Sequence, residues 1–523
     1  MLQNKTDASS YSYFSLLYDL VIPPDNFFRI LKEQIDFSFV NELLREDYCE
    51  KFGRPAKEPE FMFKLLFIQR LKNFSDRELI EEVSQNLAYK FFLDLAPEDP
   101  ICDPSLLSKF RKKHIKEVHV LEKLLTGVLL QMKEKGLLKD KSLIVDATHT
   151  KSHATKENNT QQLQRLSKNL RRSLYKQDPD IRKKFPNKPE KGATFGKELA
   201  YTKKLLDVIE KEDKEGWTNQ TKKDYLKLKR HMRMIAEAEA SMPKKGEWEG
   251  TPPVQSQVDP DAKTGYKSEN NSFFGFKSHF AMTGDRIITG VSVTSGEASD
   301  GRYLKELVEQ SETNGIEVTE VLGDAAYGSK ENTDYLEQKN IEPYLRTRAI
   351  VLESEEERLK RSGMTYNKDA DSMQCRAGHL AIKKSTSIDR GVTRHMYWFD
   401  TEKCKECPYK DGCYRPGFKT RTFSIKEHGE ERKKYLKFQE SESFKEKIKK
   451  RYMIEAKNAE MKMFHGLEYC IYRGLFGMQI QAYMTAIVTN LKRMVRLLTI
   501  QNNRNFILYH LLIHLNIAYS NNI

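Results

Sequence analysis

The chain has few of the residues that mark disulfide-stabilised, membrane-spanning or secreted proteins. It contains 7 cysteines in 523 residues, too few for a disulfide framework, so a reducing cytoplasm is the expected setting. The most apolar C-terminal stretch, FILYHLLIHLNIAY, is short and is interrupted by His510, His514 and Asn516, which argues against a membrane-spanning helix. The N-terminus lacks a basic segment followed by an apolar one, so no secretory signal is expected.

What the chain has in excess is positive charge. Its 89 Lys and Arg residues against 75 Asp and Glu residues give a net charge of +14. Such a balance suits a polyanionic partner, either nucleic acid or an anionic membrane surface. The length predicts about two to four structural units with cores of ordinary size.

Residues 58–114 show three helical patterns with clear starts. Ser75 and Glu78 match a capping box, and Asp103 followed by proline predicts the start of the third helix. The third helix is basic because it carries Lys109, Arg111, Lys112 and Lys113. Three short helices with a basic third one are typical of a helix-turn-helix unit that binds DNA, but a charged face in contact with solvent explains the pattern equally well.

Two apolar runs lead into an acidic residue. In SLIVDATHTKSHA (142–154) four residues precede Asp146 and the sequence then turns polar, which predicts a strand ending at that carboxylate. In VLGDAAYGS the same pattern precedes Asp324. Two such acids on neighbouring strands would repel each other and favour a hard cation such as Mg²⁺ or Mn²⁺. The alternative for each aspartate is a turn cap. A hairpin over 273–295 and later helices predict a mixed α/β core.

A third acid lies in RYMIEAKNAEMK. Arg451, Glu455 and Lys462 are spaced by four and seven residues, so on a helix they lie within roughly 40° of one another. A carboxylate flanked by two cations suits a metal site that also binds phosphate. The alternative is an ion pair on a solvated helix.

Four of the cysteines fall between the second and third acids. They are Cys375, Cys404, Cys407 and Cys413. A C-x₂-C pair with two further thiols predicts a tetrahedral Zn²⁺ site. Four free thiols in a reducing cell remain the alternative.

Taken in order, these segments resemble a DDE transposase of a bacterial insertion sequence, a family with a ribonuclease H-like core. LIVDATHT is similar to the first-acid strand of that family and VLGDAAYGS to the second. RYMIEAKNAEMK matches the family's Arg, Glu and Lys motif in spacing, although Ile448 stands where the family usually has a tyrosine. The resemblance covers most of residues 40–495.

The resemblance implies an α/β fold, with a ribonuclease H-like mixed sheet flanked by helices and an N-terminal helical domain that binds DNA. The expected units are 1–138 for the helix-turn-helix-like domain, 139–349 plus 440–500 for the catalytic core, 155–250 for a charged helical insertion within it, 350–439 for an insertion with the cysteines, and 501–523 for a tail.

The implied activity is cutting at terminal inverted repeats and joining of 3′ ends to target DNA. Asp146, Asp324 and Glu455 would hold two Mg²⁺ or Mn²⁺ ions, and Arg451 and Lys462 would bind phosphate oxygens. The implied partner is double-stranded DNA, and no membrane association is expected. The resemblance also implies a homodimer in a synaptic complex and a location in the cytoplasm, associated with the nucleoid. The alternatives are a metal-dependent nuclease that does not join strands and a DNA-binding protein whose active site has decayed.

Overall fold

The protein is described by a computed structural model. It covers residues 14, 16–48, 56–154, 157–240, 256, 258–268, 271–347, 355–367, 372–389, 392–415, 417–427 and 430–520.

The N-terminal part of the described chain is helical. Its helices are α1 Leu16–Val21, α2 Phe27–Gln34, α3 Phe39–Leu44, α4 Pro59–Lys72, α5 Asp76–Gln85, α6 Leu87–Phe92, α7 Ser105–Lys113 and α8 Val118–Glu134. The capping box at α5 is confirmed, since the Ser75 hydroxyl accepts from the Glu78 amide at 3.3 Å and the Glu78 carboxylate accepts from the Ser75 amide at 2.8 Å. α4 is buried along most of its length, and its buried residues lie on all sides of the helix rather than on one face.

Strand β1, Ser142–Ser152, is followed by the helical insertion, which comprises α9 Asn159–Tyr175, α10 Phe195–Glu210 and α11 Asn219–Ala240. The leucines of α9 recur at helical spacing and pack with α10 and α11 in a core of their own. The two ends of the insertion meet, because the Ser152 hydroxyl donates to the Asp259 carboxylate at 2.9 Å. Residues 155–156 and 241–250 of the expected insertion lie outside the described residues.

A mixed sheet lies at the centre of the protein. Its further strands are β2 Lys263–Ser268, β3 Asn271–Thr283, β4 Ile288–Ser295, β5 Glu320–Gly323 and β6 Glu342–Leu345, with the helices α12 Leu304–Thr313 and α13 Lys330–Gln338 between them. β3 runs antiparallel to β1, β2 and β4, which confirms the predicted hairpin. β1, β5 and β6 run parallel. The order β4-β3-β1-β5-β6 is consistent with a ribonuclease H-like sheet.

The cysteine-containing segment forms small sheets of its own. Its elements are α14 Glu355–Ser362, β7 Thr365–Asn367, β8 Ser372–Gln374, β9 Lys383–Asp389, β10 Val392–Phe399, α15 Thr401–Lys405 and β11 Arg421–Glu427. β10 lies between β9 and β11, and β7 pairs with β8. Tyr397, Phe399 and Phe423 fill a small core beneath them.

The C-terminal helices return to the central sheet. They are α16 Glu430–Gln439, α17 Glu442–Lys449, α18 Tyr452–Phe464 and α19 Gly474–Ser520, with the short strand β12 Tyr469–Cys470 beside β1. The segment expected to be a tail continues α19 as far as the structure describes it. Among the described residues, no helix combines the length and apolarity needed to cross a bilayer.

One continuous hydrophobic core joins the N-terminal helices to the sheet. Phe67 of α4 and Leu125 of α8 belong to the same cluster as Phe280 of β3, Ile454 of α18 and Ile487 of α19. A second cluster, with Val145 and Val308 among its members, covers the other face of the sheet. The N-terminal helices therefore pack as part of the core structure rather than as a separate body.

Candidate active site

The two strand acids lie on neighbouring strands. β1 and β5 pair Ile144 with Leu322, which confirms that the two elements adjoin. Asp146 and Asp324 each follow that pair by two residues, so they share one face of the sheet. Asp324 comes directly after β5, at the carboxyl end of the strand.

Asp146 lies inside β1, and the prediction that the strand ends there was wrong. The chain stays extended because Ala147 to Lys151 pair with β3, and Lys151 and Ser152 also pair with β12. A polar sequence does not end a strand when neighbours on both sides supply hydrogen-bond partners.

Helix α18 places Arg451 and Asn458 against the first acid. Asn458 Nδ2 donates to Asp146 Oδ2 at 2.8 Å. Arg451 Nη2 lies 3.7 Å from Asp146 Oδ1 and 3.4 Å from Glu455 Oε1. The guanidinium thus joins the first and third acids. Asn458 was missed by the sequence analysis, although it follows Arg451 by seven residues and so faces the same way.

The surroundings of Asp146 disfavour its ionised form when no cation is bound. Burial raises its pKa to about 7; Arg451 opposes the rise, and the charges of Asp324 and Glu455 add to it. A carboxyl group whose pKa is raised by neighbouring carboxylates binds a cation readily, since the cation offsets the repulsion. Asp324 and Glu455 therefore both lie within electrostatic reach of Asp146.

The donor set fits a hard divalent ion in its chemistry. Three carboxylates supply the oxygen ligands that Mg²⁺ and Mn²⁺ prefer. Asn458 Oδ1, beside Asp146, is buried without a hydrogen-bond partner. The Glu455 side chain is 59% exposed. Within the described ranges, no three His, Cys, Asp or Glu side chains are already close enough to hold a metal ion.

Lys462 lies near His149 of β1 and near Glu468. Its ammonium group is 3.5 Å from His149 Nε2 and 3.9 Å from Glu468 Oε2. Burial, followed by the charges of Lys462 and Lys267, lowers the pKa of His149 to about 4, so this imidazole is neutral at pH 7. These partners are weak, and the Lys462 ammonium can accommodate an additional anionic oxygen.

The loop that follows β5 is held by a hydrogen-bonding side chain of the next helix, α13. Asn332 Nδ2 donates to the carbonyls of Tyr327 and Gly301, both at 2.8 Å. The amide of Ala326 donates to Asp324 Oδ1 at 2.9 Å. Tyr327 is buried, its hydroxyl has no hydrogen-bond partner, and its pKa is raised by burial and then by the charges of Asp146 and two further acids.

The basic side chains of α7 divide into two kinds. Lys109, Lys112 and Lys113 are exposed. Arg111 is buried, lies 2.6 Å from Asp76 and stacks over the Tyr472 ring at 4.8 Å. These internal contacts argue against direct contact between Arg111 and DNA.

The four cysteines of the predicted zinc site line one pocket, which His379 also borders. All four are free thiols. Burial raises the pKa of Cys404, and the neighbouring Cys413 and Cys375 add to the rise. The thiols are therefore neighbours in space, although the described part of the chain holds no group arranged as metal ligands.

A mixed sheet with two acids on adjoining parallel strands and a third on a nearby helix is consistent with a ribonuclease H-like class of protein. Two families match the chain. One described as a transposase domain matches residues 16–113, and one described as a transposase DDE domain matches residues 241–491. The chain belongs to the DDE transposases of the insertion-sequence type, as the motifs predicted. No curated protein matches it.

The matched segments contain Asp324 and Glu455 and leave Asp146 between them. The assignment of Asp146 therefore depends on the sheet register and on its contacts with α18.

Proposed function

We propose that this transposase cuts DNA at the terminal inverted repeats of its element and joins the 3′ ends to target DNA. The observation that carries the proposal is the contact of Arg451 with both Asp146 and Glu455, beside a parallel strand pair that ends at Asp324. The metal-dependent chemistry of the DDE family agrees with this donor set.

Asp146, Asp324 and Glu455 would hold two Mg²⁺ or Mn²⁺ ions, which supply an activated water or 3′-hydroxyl nucleophile and stabilise the leaving oxygen. Arg451 keeps the first and third acids together, and Lys462 binds a phosphate oxygen of the DNA. The exposed Lys109, Lys112 and Lys113 contact the DNA backbone, and Arg111 holds their helix against α5.

The acids are tested by Asp146→Asn, Asp324→Asn and Glu455→Gln. Each variant is expected to lose strand cleavage while still binding DNA that carries the inverted repeats, because the metal ligands are removed and the basic surface is kept. Cleavage is measured with labelled repeat DNA and Mg²⁺. Glu446→Gln, at an exposed position on α17, is the matched control. Cleavage at the control's rate in any acid variant would remove that residue from the site.

The reaction products distinguish a transposase from a nuclease that does not join strands. Repeat DNA mixed with a target plasmid should give joined molecules if the protein is a transposase, and only nicked or cut DNA if it is a nuclease. A decayed protein would bind the repeats and give neither product.

We further propose that Cys375, Cys404, Cys407 and Cys413 bind one structural Zn²⁺, which their shared pocket supports. Purified protein should contain about one zinc per chain, and Cys404→Ser should lower that content and the melting temperature of the protein. Cys102→Ser, at a buried cysteine outside the pocket, is the control. If metal analysis finds no zinc, the zinc proposal is wrong and the four cysteines are structural thiols.

From the family alone we infer a homodimer in a synaptic complex with two element ends, acting on the nucleoid in the cytoplasm. Crosslinking of the protein on paired ends tests the dimer.

A further inference from the structure

A group of basic side chains lies on the side of α18 that faces away from Asp146. Lys457 and Glu460 are rotated by roughly 140–160° from Glu455 about the helix axis. Lys457 is 5% exposed, and it shares the Glu460 carboxylate with Lys492. The pKa of Arg493 is lowered by burial and by Arg286 and Arg496. We call Arg286, Lys457, Lys492, Arg493 and Arg496 the basic cluster.

The carboxylates near this cluster do not balance its charge. Lys457 and Lys492 share Glu460, each at 2.9 Å. Asp285 directs one carboxylate oxygen to the backbone amides of residues 139 and 140, both at 2.7 Å, while Arg493 Nε donates to the Asp285 carbonyl at 2.9 Å. Grouped cations that are partly removed from water raise the energy of the protein unless an anion joins them.

Arg286 has an unfavourable backbone conformation and an unpaired side-chain nitrogen. It lies in the turn between β3 and β4 with a φ of 67°, a left-handed conformation that glycine adopts without strain and arginine does not. Its Nε is buried and has no hydrogen-bond partner. An arginine with a strained backbone and a buried Nε that lacks a hydrogen-bond partner is poorly explained by stability and better explained by binding.

We propose that the basic cluster binds the phosphate backbone of a second segment of duplex DNA, distinct from the segment whose phosphate lies at Asp146. This inference rests on the proposed function to the extent that the protein acts on DNA. Lys457 of the cluster and Glu455 lie on roughly opposite sides of α18, which argues against one DNA strand contacting both. The excess positive charge selects phosphate, and the guanidinium groups suit its oxygens.

Arg286→Gly is the sharpest test because it removes the cation and relieves the strained turn, so the fold is not at risk. The affinity for a long labelled duplex is measured by fluorescence anisotropy over a range of salt concentrations. Each lost phosphate contact should reduce the slope of log affinity against log salt by about 0.9. We therefore expect Arg286→Gly to flatten the slope by about one contact and Arg286→Gly with Arg493→Gln by about two.

Two controls separate local contact from overall charge. Lys141→Gln with Lys339→Gln removes two cations that pair with surface carboxylates elsewhere, and it should leave the slope near wild type. Arg286→Lys keeps the charge and should also stay near wild type. On a short duplex that fills the catalytic face only, the cluster variants should match wild type.

An equal change in the cluster and control variants, or no change in either, would overturn the proposal. An equal loss on the short and long duplexes would place the cluster on the first DNA segment and overturn it too. A rise in melting temperature with inorganic phosphate that Arg286→Gly abolishes, with an unaltered DNA slope, would identify a small-anion site instead. Wild-type protein that binds no DNA would refute the proposed function itself.

Discussion

At the scale of single residues, His231 in the helical insertion is unusual because it is a polar side chain buried without hydrogen-bond partners. Its side chain is fully buried, and neither ring nitrogen has a hydrogen-bond partner. Burial, followed by the charge of Arg165, lowers its pKa to about 4. The folded state therefore keeps a neutral imidazole, whereas the unfolded chain takes up a proton below about pH 6.5.

We predict that His231→Leu stabilises the protein by about 1–2 kcal/mol, because an unsatisfied polar group is replaced by an apolar one of similar size. The folded-state pKa lies below the unfolded one, so the stability linked to this histidine is present above about pH 6.5 and is lost as the pH falls towards 4. The variant should lack that loss. Hydrogen exchange of the insertion amides at pH 5 and pH 8 measures both effects.

His119→Leu is the control for this prediction, since His119 is exposed on α8. If His231→Leu were as sensitive to acid as wild type, the buried imidazole would not be the cause.

At the scale of elements, the loop carrying Asp324 depends on α13. Asn332 near the start of that helix is bonded to Tyr327 within the loop and to Gly301 before α12. A Cβ added at Gly301 would lie 2.4 Å from the Ala326 carbonyl oxygen. The two loops are therefore in close contact, and the amide of Asn332 fixes them together.

We predict that Asn332→Ala lowers the cleavage rate and raises the Mg²⁺ concentration needed for half-maximal cleavage. The substitution leaves two carbonyls without their donor, at a cost of about 1–3 kcal/mol, and loosens the loop that positions Asp324. A Mg²⁺ titration of cleavage measures the effect, with binding to repeat DNA measured in parallel.

Ser75→Ala removes the cap of α5 at a cost of about 1 kcal/mol, so it controls for general loss of stability. An identical Mg²⁺ requirement in Asn332→Ala and wild type would contradict the positioning role.

The helix and strand boundaries show how much of the secondary structure could be predicted from the sequence. The capping box at Ser75 and the hairpin of β3 and β4 followed from local chemistry and alternation, and the structure confirms both. The end of β1 did not follow, because its length is set by pairing with β3 and β12 rather than by its own residues.

At the scale of the whole molecule, the helical insertion has its own core and leaves the sheet through ends that touch at Ser152 and Asp259. The N-terminal helices, by contrast, share their core with β3, α18 and α19. The helical insertion is thus a separate structural unit, whereas the N-terminal helices are part of the same unit as the central sheet.

We predict that replacing residues 155–257 by a short Gly/Ser linker leaves the rest of the chain folded, because the joined ends are already in contact and a shorter loop closes at lower entropic cost. Residues 157–240 alone should be helical and melt cooperatively. Circular dichroism and thermal melts of both pieces measure this. A piece without a cooperative transition would show that the insertion needs the core.

Removal of residues 1–138 provides the contrast. It should abolish cooperative folding of the remainder, since it exposes the side chains of α19 that α4 and α8 cover.

The sequence by itself determined the strand acids, the Arg451, Glu455 and Lys462 helix, and the family, because apolar runs, helical spacing and motif order are properties of the chain. Only the tertiary structure decided that Asn458 bonds Asp146, that Arg111 is internal and that the N-terminal helices share the core. Each of these depends on which distant segments pack together, and local pattern carries no information about partners far away along the chain.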